Sequence, residues 1–172
     1  MFILAQIISL IAIIVNIIAV QFKDKKHILL GVALTNFLFA ICYLMLDAYV
    51  GTLICIFHTI IVIINSMLED REKETPSFMI LIYILIAIII GASGYKSVTD
   101  LLPILASILF ILTLNIGKEK YIRLLLLGNL ISWVIYDYFV LAYVAGVSTL
   151  VVIGSTLISI YRYDIKNKEQ KI

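Results

Sequence analysis

Two asparagines place amide groups inside long hydrophobic segments of this chain, where polar side chains are rare. Asn36 and Asn129 each lie inside a long run of hydrophobic residues. An amide there can donate and accept hydrogen bonds, and it costs free energy unless it finds a partner. Each is followed seven positions later by a tyrosine, Tyr43 or Tyr136, so the pair occurs twice at a separation of 93 positions (36 to 129 and 43 to 136). The repetition predicts a polar site shared by two similar halves.

Further polar and aromatic side chains fall on the same predicted faces. Trp133 and Asp137 follow Asn129 by four and eight positions, a spacing that keeps side chains on one face of a helix. His58 lies about eight residues, or roughly 12 Å, from the outer end of its predicted segment, which places it at about the same depth as the two asparagines. Asp137 lies about 12 Å beyond Asn129, near the outer interface, where an ionised carboxylate costs less than at the membrane centre. The candidate solute-binding residues are therefore Asn36, Tyr43, His58, Asn129, Trp133, Tyr136 and Asp137.

These side chains also have structural interpretations. A single asparagine in a membrane helix often hydrogen-bonds a neighbouring helix, which contributes about 0.6–2 kcal/mol. His58 fits a hydrogen-bonded core histidine as well as a solute contact or a proton-handling group. Asp137 fits an outer-vestibule contact or part of a proton relay. The sequence leaves these interpretations open.

Residues for other chemistry are sparse. The sequence contains no glycine-rich phosphate loop, no HExxH motif and no nucleophile elbow. Cys42 and Cys55 lack the spacing of metal ligands, and we interpret both as small buried packing residues. We therefore expect no enzymatic activity, no metal and no cofactor.

The elements that must position these residues are hydrophobic helices. Apolar residues make up 63% of the chain and charged residues 14%, against about 45–50% apolar residues in soluble domains. The first apolar run lacks a basic n-region and a small-residue cleavage site, so we interpret it as a span rather than a signal peptide. Seven segments are predicted to span a membrane: Phe2–Val20, His27–Leu46, Val50–Leu68, Phe78–Ile90, Leu101–Leu114, Tyr121–Leu141 and Val147–Ile160.

The charged residues predict the orientation of these spans. With seven spans, the loops and the tail on one side carry Lys23, Lys25, Lys26, Arg71, Lys73, Lys118, Lys120, Arg123, Arg162, Lys166, Lys168 and Lys171. Lys96 alone is basic on the other side. The positive-inside rule then places the N-terminus outside and the C-terminus in the cytoplasm. Because orientation explains the basic loops, we expect membrane lipid and no nucleic acid as partners; a homo-oligomer is compatible with the sequence.

The internal repetition predicts how the helices are grouped. The expected fold is all-α and transmembrane, with two parallel three-helix bundles joined by a linker helix. Residues 1–68 form the first three-helix repeat and residues 69–98 a cytoplasmic loop with the linker helix. Residues 99–163 form the second repeat, and residues 164–172 a cytoplasmic tail.

The three-plus-one-plus-three arrangement, the basic first loop of each triplet and the outer N-terminus resemble the SWEET and PQ-loop transporter superfamily. The whole chain resembles more closely the YgjV family of bacterial inner-membrane proteins, which is distantly similar to that superfamily. The resemblance implies a solute pocket between the triplets, with an aromatic residue on each second helix and an asparagine on each third helix. Trp133 is similar to that aromatic residue, while Ala40 holds the matching place in the first half and His58 lies near the expected amide.

The resemblance and the duplicated amides together predict a function. We expect an integral inner-membrane protein that transports a small polar solute by alternating access, with facilitated diffusion favoured because no carboxylate is expected at depth. The alternative is a non-transporting membrane interaction module or receptor-like protein, in which the amides only fasten helices. An opening between the triplets that reaches Asn36 and Asn129 is expected for the transporter.

Overall fold

The computed structural model of the 172-residue chain describes residues 1–19, 21–22, 25–69, 75–114, 116 and 119–166. In these residues the chain is helical, without β-strands. A 3₁₀ turn, Val98–Asp100, precedes the fifth helix, and a π-helical segment, Tyr161–Lys166, follows the seventh. The helices are α1 (Phe2–Ala19), α2 (Lys25–Met45), α3 (Tyr49–Glu69), α4 (Ser77–Gly94), α5 (Leu101–Thr113), α6 (Glu119–Phe139) and α7 (Tyr143–Ile160).

The seven predicted helical segments are confirmed, with ends that differ by at most four positions from the expected ones. Within the described residues, six helices are long and apolar enough to cross a membrane. The exception is α5, whose 13 residues rise only about 20 Å. A span at α5 therefore needs its flanking polar residues or local thinning of the bilayer.

Asp100 stabilises the turn before α5 rather than α5 itself. Its side chain makes no hydrogen bond to that helix. Its Oδ2 accepts hydrogen bonds from the backbone N–H groups of Lys96 and Ser97, both at 2.9 Å. Asp100 thus stabilises the turn before α5, because the closer unpaired N–H groups lie upstream. Pro103 is buried in the first turn of α5, where it leaves no intrahelical donor missing.

Helices that follow one another in the chain pack against one another. Both α1 and α3 contact α2, both α5 and α7 contact α6, and α4 lies against α3 and α5. Contacts between α1 and α7 join the two ends of this series. The grouping into two parallel three-helix bundles, with the domain boundaries that follow from it, stays a prediction.

Small residues allow the close helix contacts. A Cβ atom at Gly31 on α2 would overlap the side chain of Ala19 on α1, and one at Gly91 on α4 would overlap Ile104 on α5. Interfaces of this kind are common in membranes, where association depends on packing rather than on exclusion of water. Away from the interfaces the helices expose large apolar side chains, and α7 exposes the largest share of its span. These surfaces suit contact with lipid.

Two apolar clusters hold the helices together. One joins α3, α4 and α5 around Ile54, Tyr83 and Ile111. The other joins α2, α3, α6 and α7 around Tyr43 and Tyr136. Cys42 and Cys55 are buried and free, as their interpretation as packing residues predicted.

The turns α2–α3 and α6–α7 have the same backbone conformation. Asp47 and Leu141 have positive φ values of 56° and 62°. The N–H of Ala48 donates to the carbonyl of Tyr43 at 2.9 Å, and that of Ala142 donates to the carbonyl of Asp137 at 2.8 Å. The backbone at the turns therefore matches Tyr43 with Asp137 (a separation of 94 positions), one place beyond the predicted match with Tyr136.

Gln6 connects the first helix to the last turn. Its Nε2 donates to the carbonyl of Leu141 at 2.9 Å, and its Oε1 accepts from the N–H of Val144 at 3.0 Å. Val144 lies in the first turn of α7, where backbone N–H groups have no intrahelical partner. The Gln6 amide therefore bonds a backbone group on each side of this turn, the Leu141 carbonyl and the Val144 N–H, and holds α1 against it.

Much of the predicted charge pattern lies outside the described residues. This applies to Lys23, Arg71, Lys73, Lys118, Lys168 and Lys171. The predicted loop at residues 70–74 and the tail at residues 167–172 also lie outside them. The orientation of the termini therefore stays a prediction.

Candidate functional site

A cavity of about 130 Å³ lies between the helix pair α2–α3 and the helix pair α6–α7. Its wall contains polar, aromatic and apolar side chains from all four helices. The lining residues are Asn36, Phe39 and Tyr43 on α2, Cys55 on α3, Leu130, Trp133 and Asp137 on α6, and Ala145 and Thr149 on α7. The cavity is thus shared between segments from the two halves of the chain.

The cavity brings together four of the seven residues that the sequence singled out. Asn36 and Tyr43 are seven positions apart on α2, and Trp133 and Asp137 are four positions apart on α6. Both spacings keep side chains on one face of a helix, so each helix presents two of these residues to the cavity. The other three predicted residues, Asn129, His58 and Tyr136, do not line it.

Asp137 is enclosed by protein rather than solvated. Only 1% of its surface is exposed. The hydroxyl of Tyr43 donates to its Oδ1 at 2.6 Å, and this bond joins α2 to α6. Gly146 on α7 packs beside it, because a Cβ atom there would come within 3.3 Å of the Asp137 Cβ.

Aromatic rings form the side of the cavity next to this carboxylate. The rings of Tyr43 and Trp133 are stacked, with centroids 5.6 Å apart and planes 13° from parallel. The Phe39 ring also stacks with that of Tyr43, with centroids 6.4 Å apart. Such stacks stabilise a pair of rings beyond their buried area by about 0.5–1.5 kcal/mol. The three aromatic side chains thus line one part of the cavity.

The two duplicated asparagines have different environments. Asn36 is half-buried, and its Nδ2 donates to the carbonyl of Val32 in its own helix at 3.1 Å. Asn129 is buried, and its Nδ2 donates to the carbonyl of Ala106 on α5 at 2.7 Å. Asn129 therefore fastens α6 to α5, whereas Asn36 lies on the cavity wall.

His58 makes a similar structural contact. Its Nε2 lies 2.9 Å from the hydroxyl of Ser107 on α5, and its ring lies 4.9 Å from that of Phe110. Since Ser107 follows Ala106, the partner of Asn129, both side chains meet α5 at one level. Neither side chain lines the cavity.

Tyr136 joins α6 to the start of α3. Its hydroxyl accepts a hydrogen bond from the N–H of Gly51 at 3.1 Å. That N–H belongs to the first turn of α3, where it has no carbonyl partner in the helix. The contact requires glycine, because a Cβ atom at residue 51 would lie 2.6 Å from the Tyr136 Cε1 atom.

Sequence reasoning missed several wall residues. Phe39 follows Asn36 by three positions and precedes Tyr43 by four, so helical spacing could have identified it. Cys55, Ala145 and Thr149 are small side chains with no pattern that separates wall positions from packing positions. Among the described residues, no group of three or more His, Cys, Asp or Glu side chains is placed to hold a metal ion.

The comparison with protein families identifies the chain. A model of the bacterial inner membrane protein family Imp-YgjV matches residues 3–167, so the chain belongs to this family. Membership and the long apolar helices together establish a multi-pass protein of the bacterial inner membrane. No curated protein matches the chain. No solved structure matches it either, and the likeness to SWEET and PQ-loop proteins stays a prediction.

Proposed function

We propose that this Imp-YgjV protein transports a small polar solute through the cavity between α2–α3 and α6–α7. The observation that carries the proposal is the cavity wall, where Asn36, Tyr43, Trp133 and Asp137 come together from helices of both halves. Ligand sites are commonly concave and largely apolar, with a few convergent polar groups. Polar and ionisable side chains inside membrane helices are rare, and they commonly mark solute or ion pathways.

The cavity sets the size of the solute. Its volume of about 130 Å³ is close to that of a cavity of about 150 Å³ that holds benzene. A solute with few non-hydrogen atoms suits this space, and a disaccharide does not. The proposed substrate is therefore smaller than the sugars that the SWEET resemblance would first suggest.

The Tyr43–Asp137 hydrogen bond supports a gate at one end of the cavity. Tyr43 and Asp137 each lie two residues before the end of their helix, next to the matching turns. Asn36 lies seven residues, or about 10 Å, further along α2. Alternating access would open the Tyr43–Asp137 end by breaking this bond and the other end by separating the helices beyond Asn36.

The buried position of Asp137 also bears on coupling. Facilitated diffusion is expected because the sequence places no carboxylate deep in the membrane; Asp137 lies near the end of α6 but is enclosed by protein. A carboxylate on the wall gives the cavity a group that can bind a cation or a proton. Uptake should therefore be measured with and without a proton gradient.

The proposal is tested by uptake into liposomes that contain the purified protein. A panel of labelled sugars, amino acids, amines and organic acids is offered to wild type, Thr149→Val and Thr156→Val. Both threonines donate to a carbonyl four residues earlier on α7, and only Thr149 lines the cavity. We expect at least one solute to be taken up, with a several-fold loss in Thr149→Val and little change in Thr156→Val.

The receptor-like or interaction module makes the opposite prediction. Asn129 and His58 fasten helices, as that alternative expects of mid-membrane polar residues. Under it, no solute on the panel accumulates, and neither threonine variant differs from wild type. That result with folded protein would overturn the proposed transport.

A further inference from the structure

The cavity wall has the composition of a site for a positively charged group. Asp137 is the acidic side chain among the described residues of this wall, and no basic side chain lines the wall there. A buried carboxylate is stabilised by a counter-charge or by several hydrogen bonds, and otherwise costs several kcal/mol. Tyr43 provides one bond to Oδ1, which leaves Oδ2 as a free acceptor position. A cationic solute would supply the missing counter-charge.

The aromatic wall favours an organic cation over a metal ion. Trp133 lines the cavity together with the carboxylate, and one of its faces stacks on Tyr43. Ammonium groups bind aromatic faces through the ring quadrupole, and tryptophan binds them best. A hard cation such as Ca²⁺ prefers six to eight oxygen ligands, whereas this wall offers few oxygen atoms between its rings.

The opposite end of the cavity is polar but uncharged. There Asn36 offers an amide, and Thr149 on α7 offers a hydroxyl. The Asn36 position lies about 10 Å along α2 from that of Tyr43. A solute with one charged end and one hydrogen-bonding end would satisfy both parts of the wall.

We infer that the solute is a small organic ammonium compound whose charged nitrogen binds between the Asp137 carboxylate and the Trp133 ring. This assignment rests on the proposed transport function and names its substrate class. A neutral sugar would leave the carboxylate without a counter-charge, and an organic acid would be repelled by it. The free amino or quaternary ammonium group is thus the feature that the site selects.

Matched solute pairs test the charge directly on the purified full-length protein. Ethanolamine is compared with ethylene glycol and tetramethylammonium with tert-butanol, because each pair is similar in size but differs in charge. Acetate, sodium and potassium complete the panel. Thermal stabilisation and titration calorimetry should show binding of the ammonium compounds about tenfold or more tighter than that of their neutral partners.

Two variants identify the groups responsible. Asp137→Asn removes the charge and retains an oxygen for the Tyr43 hydroxyl, so the helix contact can persist. Its control is Asp47→Asn, an exposed turn carboxylate with φ of 56° that asparagine readily adopts. We expect ammonium binding to weaken about tenfold or more in Asp137→Asn and to stay unchanged in Asp47→Asn. Trp133→Leu should weaken it about 3- to 30-fold.

The outcomes separate this inference from the proposed function. If neutral solutes or acetate bind and are transported as well as amines, and Asp137→Asn retains them, transport stands and the cation assignment is wrong. If sodium or potassium alone binds, the site is for an inorganic ion and the assignment is also wrong. If no solute binds or is transported by folded wild type, both proposals fail. Should Asp137→Asn not fold, the matched pairs on wild type and Trp133→Leu still decide the assignment.

Discussion

At Asn129 the amide donates to another helix, whereas at Asn36 it donates to its own. We expect Asn129→Ala to lower the free energy of unfolding by about 1–2 kcal/mol, because the Ala106 carbonyl loses its interhelical donor. Asn36→Ala should change stability by only a few tenths of a kcal/mol, since the lost bond is local. Unfolding of both variants in the same detergent measures the difference. Equal losses of stability would contradict the separation of roles.

The same two variants bear on uptake. Asn36→Ala should reduce transport while the protein stays folded, because its side chain lies on the cavity wall. Asn129→Ala should retain transport in the fraction that is folded. Transport lost only in Asn129→Ala would place the solute near α5 rather than in the cavity.

Helical spacing singled out four residues that line the cavity, but it could not separate Asn129 and Tyr136 from them. At about 100° per residue, Asn129 and Asp137 differ by about 80° around α6, so one broad face carries both. That face borders α5 at one edge and the cavity at the other. The division depends on where the neighbouring helices lie, which spacing within one helix does not contain. The burial of Asp137 was missed for the same reason, because depth along a helix does not say which helices surround it.

Helix boundaries were predictable because apolar runs and charged clusters alternate along the chain. The details at helix ends were not. Asp100 had two sets of backbone donors within reach, and only the folded turn shows that it binds the upstream set. At the two turns the matching backbone hydrogen bonds join residues 94 positions apart, so Tyr43 corresponds there to Asp137 and not to Tyr136, which has the same residue type.

Two glycines, Gly51 and Gly154, differ in how much room their surroundings leave for a side chain. Gly51 on α3 leaves no room for a Cβ atom against Tyr136, whereas Gly154 on α7 has no atom within 4 Å of that position. We expect Gly51→Ala to destabilise the protein by about 1–3 kcal/mol through overpacking. Gly154→Ala should be neutral or stabilise it by up to about 1 kcal/mol, because alanine favours the helix. Thermal unfolding of the two variants side by side checks this, and similar melting temperatures would contradict the close α3–α6 contact.

For the whole molecule, class and helix count followed from hydrophobicity, because each span must be apolar on its own. Packing order did not follow from it, since α1 and α7 are far apart in sequence and yet in contact. The parallel triplets and the orientation rest on the repeat and on the distribution of basic residues. Orientation can be measured without knowledge of the solute.

Single-cysteine labelling tests the orientation. Val98, 72% exposed beside Lys96, should lie outside the cell, and exposed Lys120 at the start of α6 should lie in the cytoplasm. Val98→Cys should therefore react with a membrane-impermeant maleimide in intact cells, and Lys120→Cys only after permeabilisation. The native cysteines are buried, so wild type provides a low background. The reverse pattern of labelling would place the N-terminus in the cytoplasm.

The contact of Gln6 with the last turn has a consequence for biogenesis. The partners of its amide, Leu141 and Val144, are synthesised 135 and 138 residues after it. Until they arrive, α1 can enter the bilayer and pack on α2, but the Gln6 amide has only water or lipid headgroups to bind. Helix α1 therefore completes its contacts only after the turn between α6 and α7 and the start of α7 have been made.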